Sequence, residues 1–213
     1  METRKIICAE NCLLISVATK YIKNISNIMK VAAIENNSSV DPTDIVQIVG
    51  EVVSIPERIT NDVRGYDGFS TKDILVGDTV IFRFDVIYSF RSISATEREF
   101  KNRIWWDGKE YWNCDIQKVF GVIRNGEIIM VNGYVMVADF ETPRIILSQS
   151  YAKSRGAANS KVLYIGNPKI GQKHLQVEND DNVFFNQNLA AKYQINGKYF
   201  RIIQQSALLG IEK

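Results

Sequence analysis

Short apolar runs alternate with polar turn residues along most of this chain. The runs are rich in Val, Ile, Phe and Tyr and are bounded by Gly, Asn, Asp and Pro at close spacing, which is typical of a small all-β barrel or sandwich. Three of them follow one another at residues 119–123, 127–131 and 134–138, joined by two Asn-Gly dipeptides. Because both positions of Asn-Gly tolerate positive φ, each favours a tight type I′ turn. The pattern therefore predicts a meander of strands here.

The same blocks occur twice, in the same order. Four blocks return in the second half: 13–17 as 134–138, 51–55 as 161–165, 76–82 as 179–185, and 107–109 as 196–198. Residues 5–8 likewise match 127–130. The copies lie 121, 110, 103 and 89 positions apart, so the first copy has the longer connections. Self-similarity of this kind indicates repeated units, and we predict two domains, at residues 1–125 and 126–213.

Each copy has one long segment with weak strand character after its first pair of strands, at about residues 19–43 and 140–159. Loops of this length in compact domains are usually functional or disordered. The second segment is polar but contains the apolar triplet Ile145-Ile146-Leu147, which serves a partner, packs into its own core or forms a short strand. Residues 12–31 also fit a helical stripe, although the repeat favours a strand up to Val17 or Ala18.

Composition limits the functional classes. The 213 residues carry a net charge of +2 and are 46% hydrophobic, which suits a packed core and gives no electrostatic reason to expect nucleic acid or an anionic membrane as partner. No apolar run approaches the length of a membrane span. The short run at residues 12–18 lacks a cleavage site, so we expect no secretory signal and reduced thiols at Cys8, Cys12 and Cys114 in a cytoplasmic protein.

The sequence offers little for catalysis. Gly166 and Gly171 have the spacing of a phosphate-binding loop, but Gln172 stands where that loop needs a lysine. A single histidine, His174, restricts acid–base and metal chemistry, and no nucleophile elbow is found. We therefore predict a protein that is not an enzyme and binds no cofactor or metal, and we interpret residues 166–171 as a turn.

A basic and aromatic stretch at residues 83–106 suggests a nucleic-acid surface as one alternative. It contains Arg83 and Arg103 together with several aromatic residues, and copy two spans the same connection with far fewer residues. Acidic residues are interleaved with the basic ones, so we interpret the stretch as a solvated face whose aromatic residues pack between strands.

Taken in order, the repeated blocks resemble the GroES co-chaperonin family over nearly the whole chain. The family's V-x-V-G-D-x-V-x-F strand entry corresponds to residues 74–82, and its ending is matched by Glu110-Tyr111 and residues 115–122. Copy two departs from the pattern, with Gln204-Gln205 in place of the acidic entry. The resemblance implies an all-β chain of two tandem GroES-like small β-barrels with long mobile loops.

The resemblance also implies a function and a site. In that family an apolar triplet in the mobile loop docks into a hydrophobic groove of a GroEL-like chaperonin ring, and a homo-oligomer caps the ATP-driven ring. Ile145, Ile146 and Leu147 stand at the triplet position of the second copy. In the first copy the nearest residues are Ile28, Met29 and Val31, interrupted by Lys30.

A third class is a structural or assembly protein, for example a viral one, that uses the same barrel without binding a chaperonin. The altered first loop and the long insertions of copy one favour this alternative. It predicts that residues 145–147 are packed, whereas the co-chaperonin interpretation predicts that they are available to a partner.

Overall fold

A computed structural model describes residues 6–19, 49–60, 67–87, 102–139, 157–171 and 175–212. Within these ranges the protein is all-β, as predicted, with two antiparallel sheets and no helix of seven or more residues. The described strand pairings do not close either sheet into a barrel, so the tandem barrels stay a prediction.

The first sheet has seven strands and the second has six. The first contains β1 (Cys12–Ser16), β2 (Val49–Ser54), β3 (Thr79–Phe82), β4 (Arg103–Trp106), β5 (Lys109–Asp115), β6 (Val119–Arg124) and β7 (Glu127–Met130). The second contains β8 (Tyr134–Ala138), β9 (Ala157–Ile165), β10 (Asn182–Asn186), β11 (Ala191–Ile195), β12 (Lys198–Gln204) and β13 (Leu208–Glu212).

The two sheets have the same strand order. The first runs β4-β5-β1-β2-β3-β6-β7 and the second β11-β12-β8-β9-β10-β13, so removal of β7 makes the orders identical. A short 3-10 turn precedes β4, β6, β11 and β13 alike, at Phe84–Val86, Ile116–Lys118, Gln187–Leu189 and Gln205–Ala207. This shared topology is what the repeated sequence blocks predict.

The tight turns have the predicted backbone conformation. Asn125 and Gly126 have φ values of 52° and 84°, and the second Asn-Gly pair, at residues 132–133, has 54° and 74°. The repeated blocks Asp107-Gly108 and Asn196-Gly197 are built in the same way, with both φ values positive. Glycine at the second position avoids the Cβ strain of left-handed backbone.

Irregularities in strand pairing recur at matching places. The β1–β2 register shifts between Leu14 and Ile15, and the β8–β9 register shifts between Met136 and Val137. The β3–β6 and β10–β13 pairs also shift at equivalent positions. Bulges are specific structural features rather than random defects, so their recurrence supports a duplication independently of the sequence blocks.

The structure corrects one sequence match by a single residue. The shared bulge aligns Leu14 with Met136, 122 positions apart, whereas the sequence blocks place the copies of this strand 121 apart. Since side chains alternate between faces of a strand, a shift of one exchanges core and surface positions. In the corrected register Leu13 and Val135 are equivalent, and each lies in the core of its own copy. For the other three blocks, the separations of 110, 103 and 89 positions between the copies agree with the strand pairings.

Each sheet has its own apolar core. The core of copy one is built around Trp112 and Phe82, which are fully buried, and that of copy two around Phe185 and Val183. Alternate residues of β8 face different clusters: Val135 and Val137 lie in the core of copy two, and Met136 lies in a separate apolar cluster. Burial on both faces of a strand explains why such strands read as short continuous apolar runs.

A third apolar cluster joins the copies, and we call it the junction. Its buried members from copy one are Val49, Ile81 and Phe120, and those from β7 and copy two are Met130, Met136, Tyr193, Ile195 and Ile202. The Phe120 ring lies 4.9 Å from the ring of Tyr134 and 5.0 Å from that of Tyr193, both edge-on. Such tilted pairs are the favoured aromatic geometry.

β7 links the two sheets. The predicted domain boundary, between residues 125 and 126, falls in the turn between β6 and β7, and β7 pairs with β6 of the first sheet. Its last residue, Met130, also forms a bridge to Gly166 next to β9. The first element of the predicted second domain is therefore hydrogen-bonded to the first sheet. The matching residues 6–8 are not in a strand.

Candidate functional site

The predicted docking residues lie outside the described part of the chain. Ile145, Ile146 and Leu147 fall in the range 140–156, and Ile28, Met29 and Val31 fall in the range 20–48. What the structure shows is the base of each connection. One connection joins β1 to β2 and the other joins β8 to β9, so both begin and end at equivalent points of matching sheets.

The base of the second connection is polar. Asp139, which follows β8, accepts a hydrogen bond from Arg201 Nε at 3.0 Å and lies 3.5 Å from Lys192 Nζ. On the other side of the connection, the Ser160 hydroxyl donates to the Ala138 carbonyl at 2.7 Å. These contacts hold described residues on either side of the segment that carries the apolar triplet.

The base of the first connection is apolar. By the strand register, Val17 and Trp112 take the places of Asp139 and Arg201, and both are buried. Gly50 takes the place of Ser160, and a Cβ there would lie 2.9 Å from the Ser16 carbonyl oxygen. The two connections therefore begin at equivalent points of their sheets. The residues at the base of the first connection are apolar, whereas those at the base of the second are polar.

The β2–β3 and β9–β10 connections touch each other. The Gly68 carbonyl accepts from Ile170 N at 3.1 Å, and Asn167 Nδ2 donates to Asp73 Oδ2 at 3.0 Å. Lys169 Nζ lies 3.9 Å from the centre of the Phe69 ring, and burial lowers the pKa of Lys169. The segment that resembles a phosphate loop is thus an irregular connection packed against copy one.

Substitution of Gly68 tests this contact. Gly68 has a φ of 77°, and an added Cβ would lie 2.6 Å from the Ile170 carbonyl oxygen. We expect Gly68→Ala to lower the free energy of unfolding by about 2 kcal/mol, measured by urea denaturation. Gly77→Ala is the matched control, since Gly77 has a φ of 92° with nothing within 4 Å of the added Cβ. It should cost about 1 kcal/mol from backbone strain alone. Equal costs would contradict the close approach.

The described residues hold no group of three or more His, Cys, Asp or Glu side chains that could bind a metal. All three cysteines are free thiols. Burial raises the pKa of Cys12 to about 11 and that of Cys114 well above its ordinary range. Neither is activated as a nucleophile, because the thiolate is the reactive form.

The basic stretch is neutralised locally where the structure describes it. Arg83 lies 3.1 Å from Asp85, which Lys118 also approaches at 3.0 Å. Arg103 lies 3.4 Å from Glu110. Residues 88–101 of this stretch lie outside the described ranges. In the described part of the chain, no helix is long and apolar enough to cross a bilayer.

The ion pair between Asp78 and Arg124 was not predicted from the sequence. Asp78, 5% exposed, accepts from Arg124 Nε at 2.8 Å and Nη2 at 2.7 Å, and also from Leu75 N at 2.7 Å. The hydrogen bonds from Arg124 hold the pKa of Asp78 below its ordinary value. The Val-Gly-Asp motif marks Asp78, but nothing local in the sequence marks its partner 46 positions away.

The fold and the bases of the two connections define an all-β protein of two sheets with matching topology. No protein-family model matches the chain. No curated protein sequence matches it significantly.

Proposed function

We propose that the protein is a cytoplasmic co-chaperonin that caps an ATP-driven, GroEL-like chaperonin ring and assists protein folding. The observation that carries the proposal is the placement of the two long connections. They leave equivalent points of two matching sheets, and the second includes Ile145-Ile146-Leu147. In this proposal each sheet belongs to a GroES-like barrel, and ATP hydrolysis belongs to the partner.

The energetics suit a cap that binds and releases. Burial of each aliphatic side chain in a groove gains roughly 1.5–3 kcal/mol, while fixing the backbone of a loop costs about 1–2 kcal/mol per residue. One loop therefore binds weakly and reversibly. Several loops presented by one oligomer bind with avidity, because each later contact is effectively intramolecular.

The two loops are not equivalent in this proposal. Lys30 interrupts the apolar residues of the first loop, whereas the second has an unbroken triplet. A ring with seven docking sites also cannot be matched evenly by chains with two loops each. We assign most of the docking to the second loop, which the Asp139 contacts anchor.

Co-sedimentation with a purified chaperonin, with and without ATP, tests the assignment. We expect nucleotide-dependent binding that Ile146→Asp weakens at least tenfold, about 1.4 kcal/mol, and that Met29→Asp weakens less. Ile170→Asp is the matched control, because it places the same charge at an isoleucine that is 74% exposed in another connection.

Two outcomes of the co-sedimentation experiment would contradict the docking assignment, and a third would favour another class of protein. Equal losses from Ile146→Asp and Met29→Asp would contradict the asymmetry between the loops. Binding that neither variant weakens would contradict docking through these residues. No binding by the unsubstituted protein would favour the structural or assembly protein that shares this fold.

A further inference from the structure

A cavity of about 440 Å³ lies between the two copies, beside the junction. Residues of both copies line it, including Arg83, Phe84 and Phe120 from copy one and Tyr134, Leu189 and Tyr193 from copy two. A cavity of this volume is typical of sites that take small organic molecules, and such sites are frequent at boundaries between domains. The chemistry of its lining therefore indicates what it could bind.

Aromatic side chains form much of the cavity wall. The rings of Phe84, Phe120, Tyr134 and Tyr193 all line it, and the edge-on contacts of Phe120 with the two tyrosines hold three of these rings in place. Pairs of aromatic rings gain energy beyond the burial of their area. The wall therefore favours a ligand that contains a flat aromatic ring.

One end of the cavity favours negative charge. The phenol of Tyr134 donates to the Gln117 carbonyl at 3.1 Å, and both Arg83 and Gln204 also line the cavity. Burial raises the pKa of Tyr134, whereas the Gln204 side chain and the charge of Arg83 act in the opposite sense. Both groups thus stabilise negative charge at the phenol oxygen, and an anion beside that oxygen would be stabilised in the same way.

Arg83 keeps hydrogen-bonding capacity for such an anion. Its Nη2 donates to Asp85 at 3.1 Å, but Lys118 approaches the same carboxylate at 3.0 Å, so Asp85 neutralises Arg83 only in part. A guanidinium has five N–H donors, and the Arg83 side chain is 49% exposed. Donors of Arg83 are therefore available to a second carboxylate.

A comparison of the two copies supports an anionic ligand. Gln204 pairs with Tyr134 across β12 and β8, and the matching pair in copy one is Asp115 with Cys12. A carboxylate at position 204 would repel an anion beside Arg83, whereas the glutamine amide can donate a hydrogen bond to it. Docking of the long connections does not explain this loss of the acidic residue from copy two, but an anion in the cavity does.

Leu189 is a second difference between the copies. The 3-10 turns Phe84–Val86 and Gln187–Leu189 occupy matching places, so Leu189 is the counterpart of Val86. Val86 is 1% exposed, whereas Leu189 is 59% exposed and lines the cavity. A ligand with an apolar ring would contact this exposed leucine and remove part of it from water.

We propose that this cavity is a binding site for a small aromatic carboxylate. The ring of the ligand lies among the aromatic walls and against Leu189, and its carboxylate accepts hydrogen bonds from Arg83 and Gln204. Hydrogen bonds between arginine and a carboxylate are charge-assisted and strong. Because the ligand touches both copies, its binding should raise the midpoint of thermal unfolding. This inference does not rest on chaperonin binding, and the chain alone tests it.

Isothermal titration calorimetry with 2-naphthoate tests the proposal, with the neutral 2-naphthylmethanol as the matched compound. We expect one naphthoate to bind per chain, and the alcohol to bind weaker by about tenfold or more. Arg83→Gln should weaken the binding of naphthoate by about the same factor and change that of the alcohol little. Arg103→Gln is the matched control, because Arg103 also has an acidic partner, Glu110 at 3.4 Å, but does not line the cavity.

Filling the cavity tests the location of the site. Ala191 and Ala207 both line it, so Ala191→Phe and Ala207→Phe should each abolish binding of the acid and of the alcohol. Circular dichroism checks that both variants keep the fold, and two separate positions guard against a local defect at one of them. The proposal is overturned if the unsubstituted chain binds no naphthoate, if it binds acid and alcohol equally, or if binding survives either substitution.

Discussion

Phe120→Ala is expected to lower the free energy of unfolding by about 3–5 kcal/mol. Phe120 is 4% exposed and contacts the rings of Tyr134 and Tyr193, so its removal leaves a cavity between the copies. Urea denaturation followed by tryptophan fluorescence and by circular dichroism measures the loss. Because the cavity lies at the junction, we also expect the two signals to separate, as they do when unfolding is no longer two-state.

Leu209→Ala provides the matched control for this substitution. Leu209 occupies the same register position in copy two and is 66% exposed, so we expect it to change the stability of the isolated chain by less than about 0.5 kcal/mol. If Leu209→Ala destabilised the chain as much as Phe120→Ala, burial at the junction would not explain the effect of the Phe120 substitution.

Asp78→Ala is expected to cost about 3 kcal/mol, because it removes a two-fold hydrogen bond to Arg124 and an acceptor for Leu75 N. Asp181 is its counterpart and accepts from Glu178 N at 2.9 Å. We expect Asp181→Ala to cost about 1 kcal/mol, measured by urea denaturation. Equal costs would show that Arg124 adds nothing to the turn.

The same pair makes stability depend on pH. Arg124 holds the pKa of Asp78 below the ordinary value of 3.8, so the folded protein binds this proton less readily than the unfolded chain. The stabilisation that Asp78 gives to the folded protein is therefore complete above pH 3.8, the ordinary pKa. It is lost as the pH falls from there towards the lower pKa of Asp78 in the folded protein. Asp78→Ala should lose less stability on acidification in this range than the unsubstituted protein does.

Much of the fold follows from the sequence, because its local signals are strong. The Asn-Gly turn at residues 125–126 has the backbone conformation that the dipeptide requires. Alternation in β8 places Val135 and Val137 in the core, and the repeated blocks correspond to matching strands. These features depend on residues close together in the chain.

Features that depend on distant residues were harder to predict. Two alignments of β1 with β8 that differ by one residue are both compatible with the sequence. Only the bulge that follows Leu14 in β1 and Met136 in β8 distinguishes them. The partnership of Asp78 with Arg124 joins residues in different strands. The junction between the copies also joins distant residues, because it forms where strand pairing brings β7 against β6. The docking residues at 145–147 remain a prediction from the sequence.

A duplicated chain gives the co-chaperonin proposal a structural basis for avidity. The junction already orients two matching units within one chain. In the co-chaperonin proposal, an oligomer presents the second-copy loops of several chains together, as simultaneous docking on a ring requires.

Native mass spectrometry of the chain mixed with a purified chaperonin, with and without ATP, tests the central claim most directly. The account predicts a nucleotide-dependent complex in which several copies of this chain bind together to one end of the chaperonin ring. A chaperonin that retains its unbound mass in the presence of ATP and excess chain would contradict the co-chaperonin function.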